Sequence, residues 1–596
     1  MTKQFATFCA LLFVSAGSQA QQANDLFEAK CVTCHSAGSA AGAPLPATLR
    51  QMTAARILEA LETGKMQSIG ASLTSSQRES LASFLGLAES ASASPETGVC
   101  SSVAALDRRP GQWNGWGVDN TNSRYQDFRN AALDRESVPN LKLKWAFGFP
   151  GATTAFAQPT VSGGKLFVGS AEGAVYSLNA QTGCVYWRFA TSEGVRTAIV
   201  LSRDGQRAYF GDLHANVYAV DAGSGSLIWK THVDEHPFAV VTGTPRLVDG
   251  KLIVPVSGGD EPISAANPAY ECCTFRGSLV ALDAASGKQI WKTYTIPHPE
   301  ITGTNAAGTK QWGPSGVSLW SSPTIDTRRN AIYVGTGINF SARATSGSDS
   351  ITAFDIETGR VLWSQQTTAG DVYNFSCRGG NPANCPKEHG NDNDFGNSPM
   401  LKTLANGRRV LVVGQKSGMV YGLDPDSSGK LLWQTRVSRG GPQGGVIWGG
   451  ASDDNTAYFG ISDWDPGKPE AGGGLVALRL GDGKMLWSAS APKPACVSTP
   501  GCSAAQPAPV TLIPGVAFLG SMDGHMRAYD TRDGRIIWDF DTLRDFETVN
   551  GVKAHGGSIN GAGPVVVNGI LYTNSGYARI PSMPGNVLLA FSVDGK

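Results

Sequence analysis

Cys31, Cys34 and His35 stand in a Cys-x-x-Cys-His pentapeptide. In that spacing two thioether bonds can pin the edge of a haem while the histidine supplies one axial nitrogen. The chemistry on offer is one-electron transfer by a covalently held carrier. A redox dithiol or a zinc clip would use the same two cysteines. No βαβ pattern follows them, however, and no second ligand pair exists in the sequence. Far downstream, Cys272 and Cys273 are adjacent, and carboxylates recur in glycine-rich surroundings at Asp260 and Glu261 and in the stretch NDNDFGNSP around Asp394.

Short helices must frame the pentapeptide. Asn24 to Lys30 reads as one helix, and Thr53 to Glu62 and Ser75 to Leu85 carry apolar residues at helical spacing, with Thr74 as an N-cap. This outline resembles a small class I cytochrome c. The resemblance implies a thioether as the second axial ligand and puts Met66, in TGKMQSIG, in that place. Met52, the other local methionine, reads as part of a helix start. Methionine ligation would raise the haem potential and suit electron acceptance.

The whole chain of 596 residues has room for one large and one small domain. Forty-nine basic and 49 acidic residues cancel, so no nucleic-acid footprint is present. Residues 1–20 read as a secretory signal: Lys3, an apolar run from Phe5 to Val14, then Ser-Gln-Ala. That run is too short to span a bilayer, and no other segment is long and apolar enough. Export to the periplasm is the expectation. Cys9 leaves with the signal and two cysteines belong to the haem, so eight remain. Their even number and close spacings suit disulfides in an oxidising compartment. The pairs expected are Cys377 with Cys385, Cys496 with Cys502 and Cys272 with Cys273, which leaves Cys100 for Cys184.

An Ala/Ser-rich stretch from Ala88 to Ser101 marks a boundary, and a repeat follows. Seven phrases, from GAVYSLNAQTGCVYW to GHMRAYDTRDGRIIW, close on Trp187, Trp229, Trp291, Trp363, Trp433, Trp487 and Trp538. Each reads as a strand, a tight turn ending in Gly, and a second strand ending in Trp. An eighth phrase, GNVLLAFSVDGK, ends the chain without its tryptophan; Trp145, in LKLKWAF, supplies the missing strand. Repeats spaced roughly 40 to 70 residues apart match four-stranded blades with loops. The fold expected is an all-β eight-bladed propeller behind a small N-terminal all-α domain. Its parts are a signal over 1–20, a haem domain over 21–90, a linker and lead-in over 91–139, and the ring over 140–596. A seven-bladed ring with a stray tryptophan is the plainer alternative.

The phrase A-x-D-x-x-T-G-x-x-x-W, repeated with variations, resembles the tryptophan-docking motif of quinoprotein alcohol dehydrogenases. WNGWGVDNTNSRYQ, from Trp113 to Gln126, resembles their lead-in. The resemblance covers nearly the whole ring. It implies pyrroloquinoline quinone (PQQ) and a bound Ca²⁺ on the propeller axis. A cytochrome ahead of the ring resembles the polymer-oxidising branch of that family, which acts on polyvinyl alcohol in the periplasm. By the same resemblance Arg196, Thr242 and Lys416 reach the quinone, and Trp320 stacks on its plane. A flat tri-acid does need an aromatic floor, cations and hydroxyl donors. Glu261 and Asn339 are the calcium ligands so implied.

The base is implied to be an aspartate after the fourth tryptophan. The sequence offers Asn374 at the expected place, then an insertion, then Asp394; Asp394 is favoured and Asp371 comes second. The Cys272–Cys273 pair is similar to one that lies against the quinone in methanol dehydrogenases, but it sits about one blade later here. Alcohol, in particular a polymeric secondary alcohol, is then the implied substrate, and a soluble cytochrome c or another carrier the acceptor of electrons leaving the haem. Rival readings are an eight-bladed assembly scaffold without a quinone, and a quinone dehydrogenase for a sugar or another alcohol.

Overall fold

The computed structural model describes residues 22–35, 46–49, 52, 54–62, 66–86, 97–101, 111–378 and 382–595. The expected signal over 1–20, Cys9 and most of the Ala/Ser-rich boundary lie outside the described residues.

The N-terminal unit is helical over 22–30, Ala54–Glu62 and Ser75–Leu85. Thr74 caps the last of these: its side chain accepts from Gln77 N, and the Gln77 side chain accepts from Thr74 N. That reciprocal pair satisfies two otherwise orphaned groups. Phe27, Ile57, Leu61, Leu81 and Leu85 form the core, with Cys31 buried among them. None of the described helices is long and apolar enough to cross a membrane.

Eight four-stranded antiparallel sheets form the propeller. In chain order the blades are 160–190, 200–232, 246–294, 324–366, 400–436, 450–490, 511–541 and 565–592. The eighth has only three strands from the C-terminal end; Lys142–Gly148 completes it by pairing antiparallel with Val587–Ser592. The ring therefore closes by hydrogen bonds between the two ends of its own chain, and no sheet edge is left where the circle meets. Seven blades would have left this strand without a partner.

Seven of the eight joints between blades set a tryptophan on a glycine. Trp145, Trp187, Trp229, Trp291, Trp433, Trp487 and Trp538 donate Nε1–H to a carbonyl of the following blade at 3.0–3.2 Å. Their six-membered rings lie against Gly183, Gly225, Gly287, Gly483 and Gly534, and those of Trp291 and Trp363 against Gly359 and Gly429. These glycines all have positive φ. The turn needs that conformation and the indole needs the missing Cβ, so one residue type meets two demands.

The expected linker and lead-in is not a spacer. Gly98 to Cys100 hydrogen-bonds Val185, and Cys100 is disulfide-bonded to Cys184. Trp113 to Gln126 then circles inside the ring and touches the innermost strand of every blade. The contacts are to Val161, Leu201, Arg246, Ile325, Leu401, Ser452, Leu512 and Val566. Arg124 is buried at its centre, donating to Val510 O, Gln158 Oε1 and Thr511 Oγ1. Burial with no acid beside it, and Arg246 nearby, lower its pKa to about 9. The lead-in is a plug for one end of the shaft.

All four expected disulfides are present: Cys100–Cys184, Cys272–Cys273, Cys377–Cys385 and Cys496–Cys502. Among the described cysteines only Cys31 and Cys34 are uncommitted, as haem attachment requires.

The clasp makes a direct prediction for stability. A Cβ on Gly359 would lie 2.4 Å from Trp291 at a φ of +69°, so Gly359→Ala should destabilise the ring by about 2–4 kcal/mol. Gly163 also has positive φ (+57°) but nothing within 4 Å, so Gly163→Ala should lose only about 1 kcal/mol. Urea unfolding of the two variants measures the difference.

Candidate active site

The innermost strands of the blades run in one direction along the shaft, so residues just before each of them gather at one end. The plug contacts the strands themselves. Arg196, Thr242, Trp320 and Asp394 each fall a few residues ahead of an innermost strand and therefore meet at the end away from the plug. With Lys416, they line an axial cavity of about 230 Å³. Five residues drawn from four successive blades and the segments leading into them are thus one site.

Trp320 forms one wall. Gly396 lies directly against its ring, where a Cβ would come within 1.9 Å. Trp448 meets Trp320 edge-on at 5.0 Å between centroids, and Arg196 covers Trp448 at 4.0 Å. Trp448 is in turn fixed by donating Nε1–H to Asn560 at 2.6 Å. Aromatic faces at right angles with a guanidinium on one of them make a rigid corner.

Several buried polar atoms here have no partner in the protein. Arg196 Nη2, Thr242 Oγ1 and both amide atoms of Asn397 are unsatisfied. Burial lowers the Arg196 pKa to about 10. Orphaned buried donors are unfavourable unless a ligand meets them. A planar, multiply carboxylated quinone fits that donor set: flat ring on Trp320, carboxylates on Arg196 and Thr242.

Lys416 is buried with two carboxylates, at 2.9 Å from Asp392 Oδ1 and 2.7 Å from Asp394 Oδ2. Burial opposes its charge, but the two acids outweigh burial and hold the ammonium above its ordinary pKa. Asp392 moves the other way: burial pushes its carboxyl well up despite Lys416. Asp394 Oδ1 also accepts from Ile338 N at 2.7 Å, and Gly337 leaves room for that oxygen.

Four sequence expectations come out differently. Asp371 does not line the cavity; its oxygens accept from Asp392 N, Asn393 N and Asn393 Nδ2, so it braces the loop that carries Asp394. Glu261 is fully buried in the wall behind the cavity. Its Oε1 accepts from Thr274 N and the Tyr270 hydroxyl, and its Oε2 from Phe275 N. Asn339 Oδ1 accepts from both Thr345 N and its hydroxyl. A cation ligand must offer free lone pairs; both on Asn339 Oδ1 are taken, and Glu261 already accepts three protein hydrogen bonds. The residues as placed therefore do not fit a calcium site. Cys272–Cys273 is buried in the core beside Phe275 and Phe340 and does not line the cavity.

Sequence reasoning missed Arg579, which enters the cavity mouth from the last blade and pairs with Asp260 at 3.3 Å. No local signal marks it. It also missed Asp392, Asn397 and Trp448; the first two flank Asp394 within the same NDNDFGNSP stretch. In the helical unit, His35 is buried, and Met66 and Met52 both pack partly buried against the core that holds Cys31. Two uncommitted thiols beside a buried imidazole fit a covalently bound haem.

A ring with an aromatic, cationic axial cavity and a haem-binding helical unit defines a quinone-dependent, haem-bearing dehydrogenase. Comparisons agree. Residues 113–380 match the family described as glucose/ethanol/alcohol dehydrogenase, beta-propeller domain. Residues 18–85 match cytochrome C oxidase, cbb3-type, subunit III, and 274–585 match outer membrane protein assembly factor BamB. A "Polyvinylalcohol dehydrogenase" of Pseudomonas sp. is 42% identical, covering 96% of this chain and 93% of its own length. One from Sphingopyxis sp. (strain 113P3) is 40% identical over 96% and 92%. The quinohemoprotein alcohol dehydrogenase of Comamonas testosteroni shares the fold, with a TM-score of 0.59 at 21% identity over 83% of this chain and 82% of that one. The chain belongs to the polyvinylalcohol dehydrogenase family of PQQ-dependent quinohaemoprotein alcohol dehydrogenases. It is an oxidoreductase that uses PQQ and haem c.

The buried triad is testable for stability. Lys416→Met strands two buried carboxylates and should cost about 3–5 kcal/mol. Adding Asp392→Asn should recover part of that loss, read as a coupling energy in a double-mutant cycle of denaturant unfolding.

Proposed function

We propose that this protein oxidises the secondary hydroxyls of polyvinyl alcohol to ketones, in the periplasm, and passes the electrons through its haem to an external cytochrome c or similar carrier. The observation that carries this reading is the axial cavity, where Asp394, Lys416, Trp320, Arg196 and Thr242 converge. The substrate class is taken from relatives about two-fifths identical over nearly the whole chain, both named for polyvinyl alcohol. The signal-like residues 1–20 and four disulfides support an exported, oxidising location.

Asp394 is the base. It is the carboxylate of the triad that faces the cavity, whereas Asp371 is spent on the loop behind it. Lys416 and the Ile338 N–H fix both of its oxygens, so the carboxylate is aimed before substrate arrives. Trp320 would supply the flat floor, and Arg196 and Thr242 would hold the cofactor's acid groups. When bound, PQQ supplies the two-electron acceptor for the carbinol hydrogen. Asp394 takes the hydroxyl proton on a carboxylate oxygen, and Lys416 compensates the changing charge beside it. Trp320, braced from behind by Trp448, walls the reacting group from water. No step is assigned to calcium, because Glu261 and Asn339 spend their oxygens on protein donors.

His35 and Met66 are the iron ligands of this reading, with Cys31 and Cys34 as the thioether anchors. A scaffold reading has the BamB-type match to the docking repeats in its favour. Against it stand the haem motif and the unpaired donors of Arg196 and Thr242, which a scaffold has no use for.

Asp394→Asn should lower alcohol-dependent dye reduction by roughly 10²- to 10⁴-fold while PQQ still binds, as followed by fluorescence titration. Asp371→Asn, which only loosens the loop that carries Asp394, should lower turnover far less; the opposite pattern would move the base to Asp371. A Cys31→Ser, Cys34→Ser double variant should lose covalent haem on a denaturing gel. It should still reduce an artificial dye but no longer reduce cytochrome c. Unchanged reduction of cytochrome c by the haem-less variant would take the haem out of the electron path.

A further inference from the structure

A second and larger cavity, of about 680 Å³, opens on the outside of the third blade. It lies in the range typical of sites for organic ligands, roughly 300–1,000 Å³. Its walls include His232 at the end of the second blade and His236 just after it, Tyr294 at the end of the third and His298 just after it, and Trp312 on a projecting hairpin, Glu300–Thr304 with Lys310–Gly313.

The charges lining this cleft balance, two acids against two bases. Lys292 donates to Asp234 at 2.6 Å and to Val233 O at 2.8 Å. Arg276 lies flat on Tyr294 at 3.6 Å. Asp234 and Glu235 thus stand against Arg276 and Lys292 in the lining, so the cleft carries no net charge to select an ion. The remaining polar groups are of the kind that can both donate and accept: imidazoles, the Thr274 hydroxyl and the Gln289 amide. His298 is the clearest of these. Its Nδ1 is 2.8 Å from the Pro299 carbonyl and must donate there, which leaves Nε2 as the nitrogen facing a ligand. Burial lowers the His236 pKa, which favours a neutral ring that shares a hydrogen with Thr274 Oγ1 at 3.0 Å. Aromatic surface beside neutral donor–acceptor groups suits an uncharged chain of methylenes bearing hydroxyls.

This cleft and the axial cavity share one wall. His236 and Thr274 line the cleft, Asp260 and Pro262 line the axial cavity, and Glu261 between them ties the two through Thr274 N at 2.7 Å. The arrangement gives Glu261 a structural task in place of metal binding. A polymer with one hydroxyl at Asp394 would have further repeats within reach of the cleft.

We propose that the cleft under Trp312 is a binding subsite for a distal stretch of the polyhydroxylated polymer whose reacting carbinol sits in the axial cavity. This rests on the polymeric substrate proposed above. The subsite holds chain and does no chemistry.

The test uses the PQQ-loaded, haem-bearing protein with Trp312→Ala, Trp312→Phe and His298→Ala. Polyvinyl alcohol binding is measured by calorimetry without an electron acceptor, and kcat and KM are measured for polyvinyl alcohol and for 2-propanol. The alanine variants should raise the polymer's Kd and KM roughly tenfold, as loss of an aromatic anchor does, with kcat kept and 2-propanol kinetics unchanged. Trp312→Phe should restore most of the polymer affinity. Unchanged polymer Kd and KM overturn the subsite, as does an equal loss on both alcohols in every variant. A wild-type protein that oxidises 2-propanol but neither binds nor oxidises the polymer overturns the polymeric substrate itself, and the subsite with it.

Discussion

An indole lying on a glycine of the next blade is the contact on which this ring depends. A four-stranded blade buries both faces only against neighbours, so the angle between blades decides how many fit in a circle. The clasp fixes that angle at each joint by combining a flat aromatic contact with a directional Nε1–H bond. The joint after Trp538 differs: its hydrogen bond goes to Leu141 O, at the entry of the strand that closes the ring. That last joint has strand pairing in place of a glycine turn. The circle is closed by the chain's two ends and held at pitch by its tryptophans.

A rigid circle makes unfavourable electrostatics tolerable at its centre. Arg196 and Thr242 are buried with unmet hydrogen-bonding atoms, and Lys416 shares a dry site with two acids. Left to relax, such groups would turn toward water or toward each other. They cannot, because each is mounted just ahead of a strand whose own position is set by a clasp. The result is a set of donors aimed at a cofactor before it arrives, which is how a site avoids reorganisation during reaction.

What the sequence made legible follows from what is local. Each phrase carries the glycine of one clasp four residues ahead of the tryptophan of the next, so blade number, turn type and ring closure could all be read from repeats. Cysteine pairs six and eight residues apart were equally plain, and the cytochrome-like helices with the Thr74 cap emerged from periodicity. Arg196, Thr242, Trp320, Asp394 and Lys416 came through resemblance, each within a motif that keeps its place relative to a strand. Glu261 and Asn339 failed as ligands for a reason invisible in a string. The donors that occupy them, Thr274, Phe275 and Thr345, come from neighbouring loops whose approach only the fold defines. Arg579 was hidden likewise, because it reaches Asp260 across 319 residues of chain. The lead-in was recognised by its residues but not by its path around all eight blades.

The plug gives the shaft a direction. Trp113 to Gln126 fills the end reached by the strands, and Arg124 anchors it with a guanidinium that has no acid partner. Cofactor and alcohol must therefore both use the opposite mouth, where Asp260 and Arg579 pair while still partly exposed to water. A polymer cannot thread through a shaft closed at one end. It must lie across the mouth and offer one carbinol at a time, so its grip has to come from surface beside the opening. The wall held by Glu261 puts that surface one layer from Asp394's cavity. A closed shaft and a long substrate thus demand the same thing of the fold: binding and chemistry in separate, adjoining places.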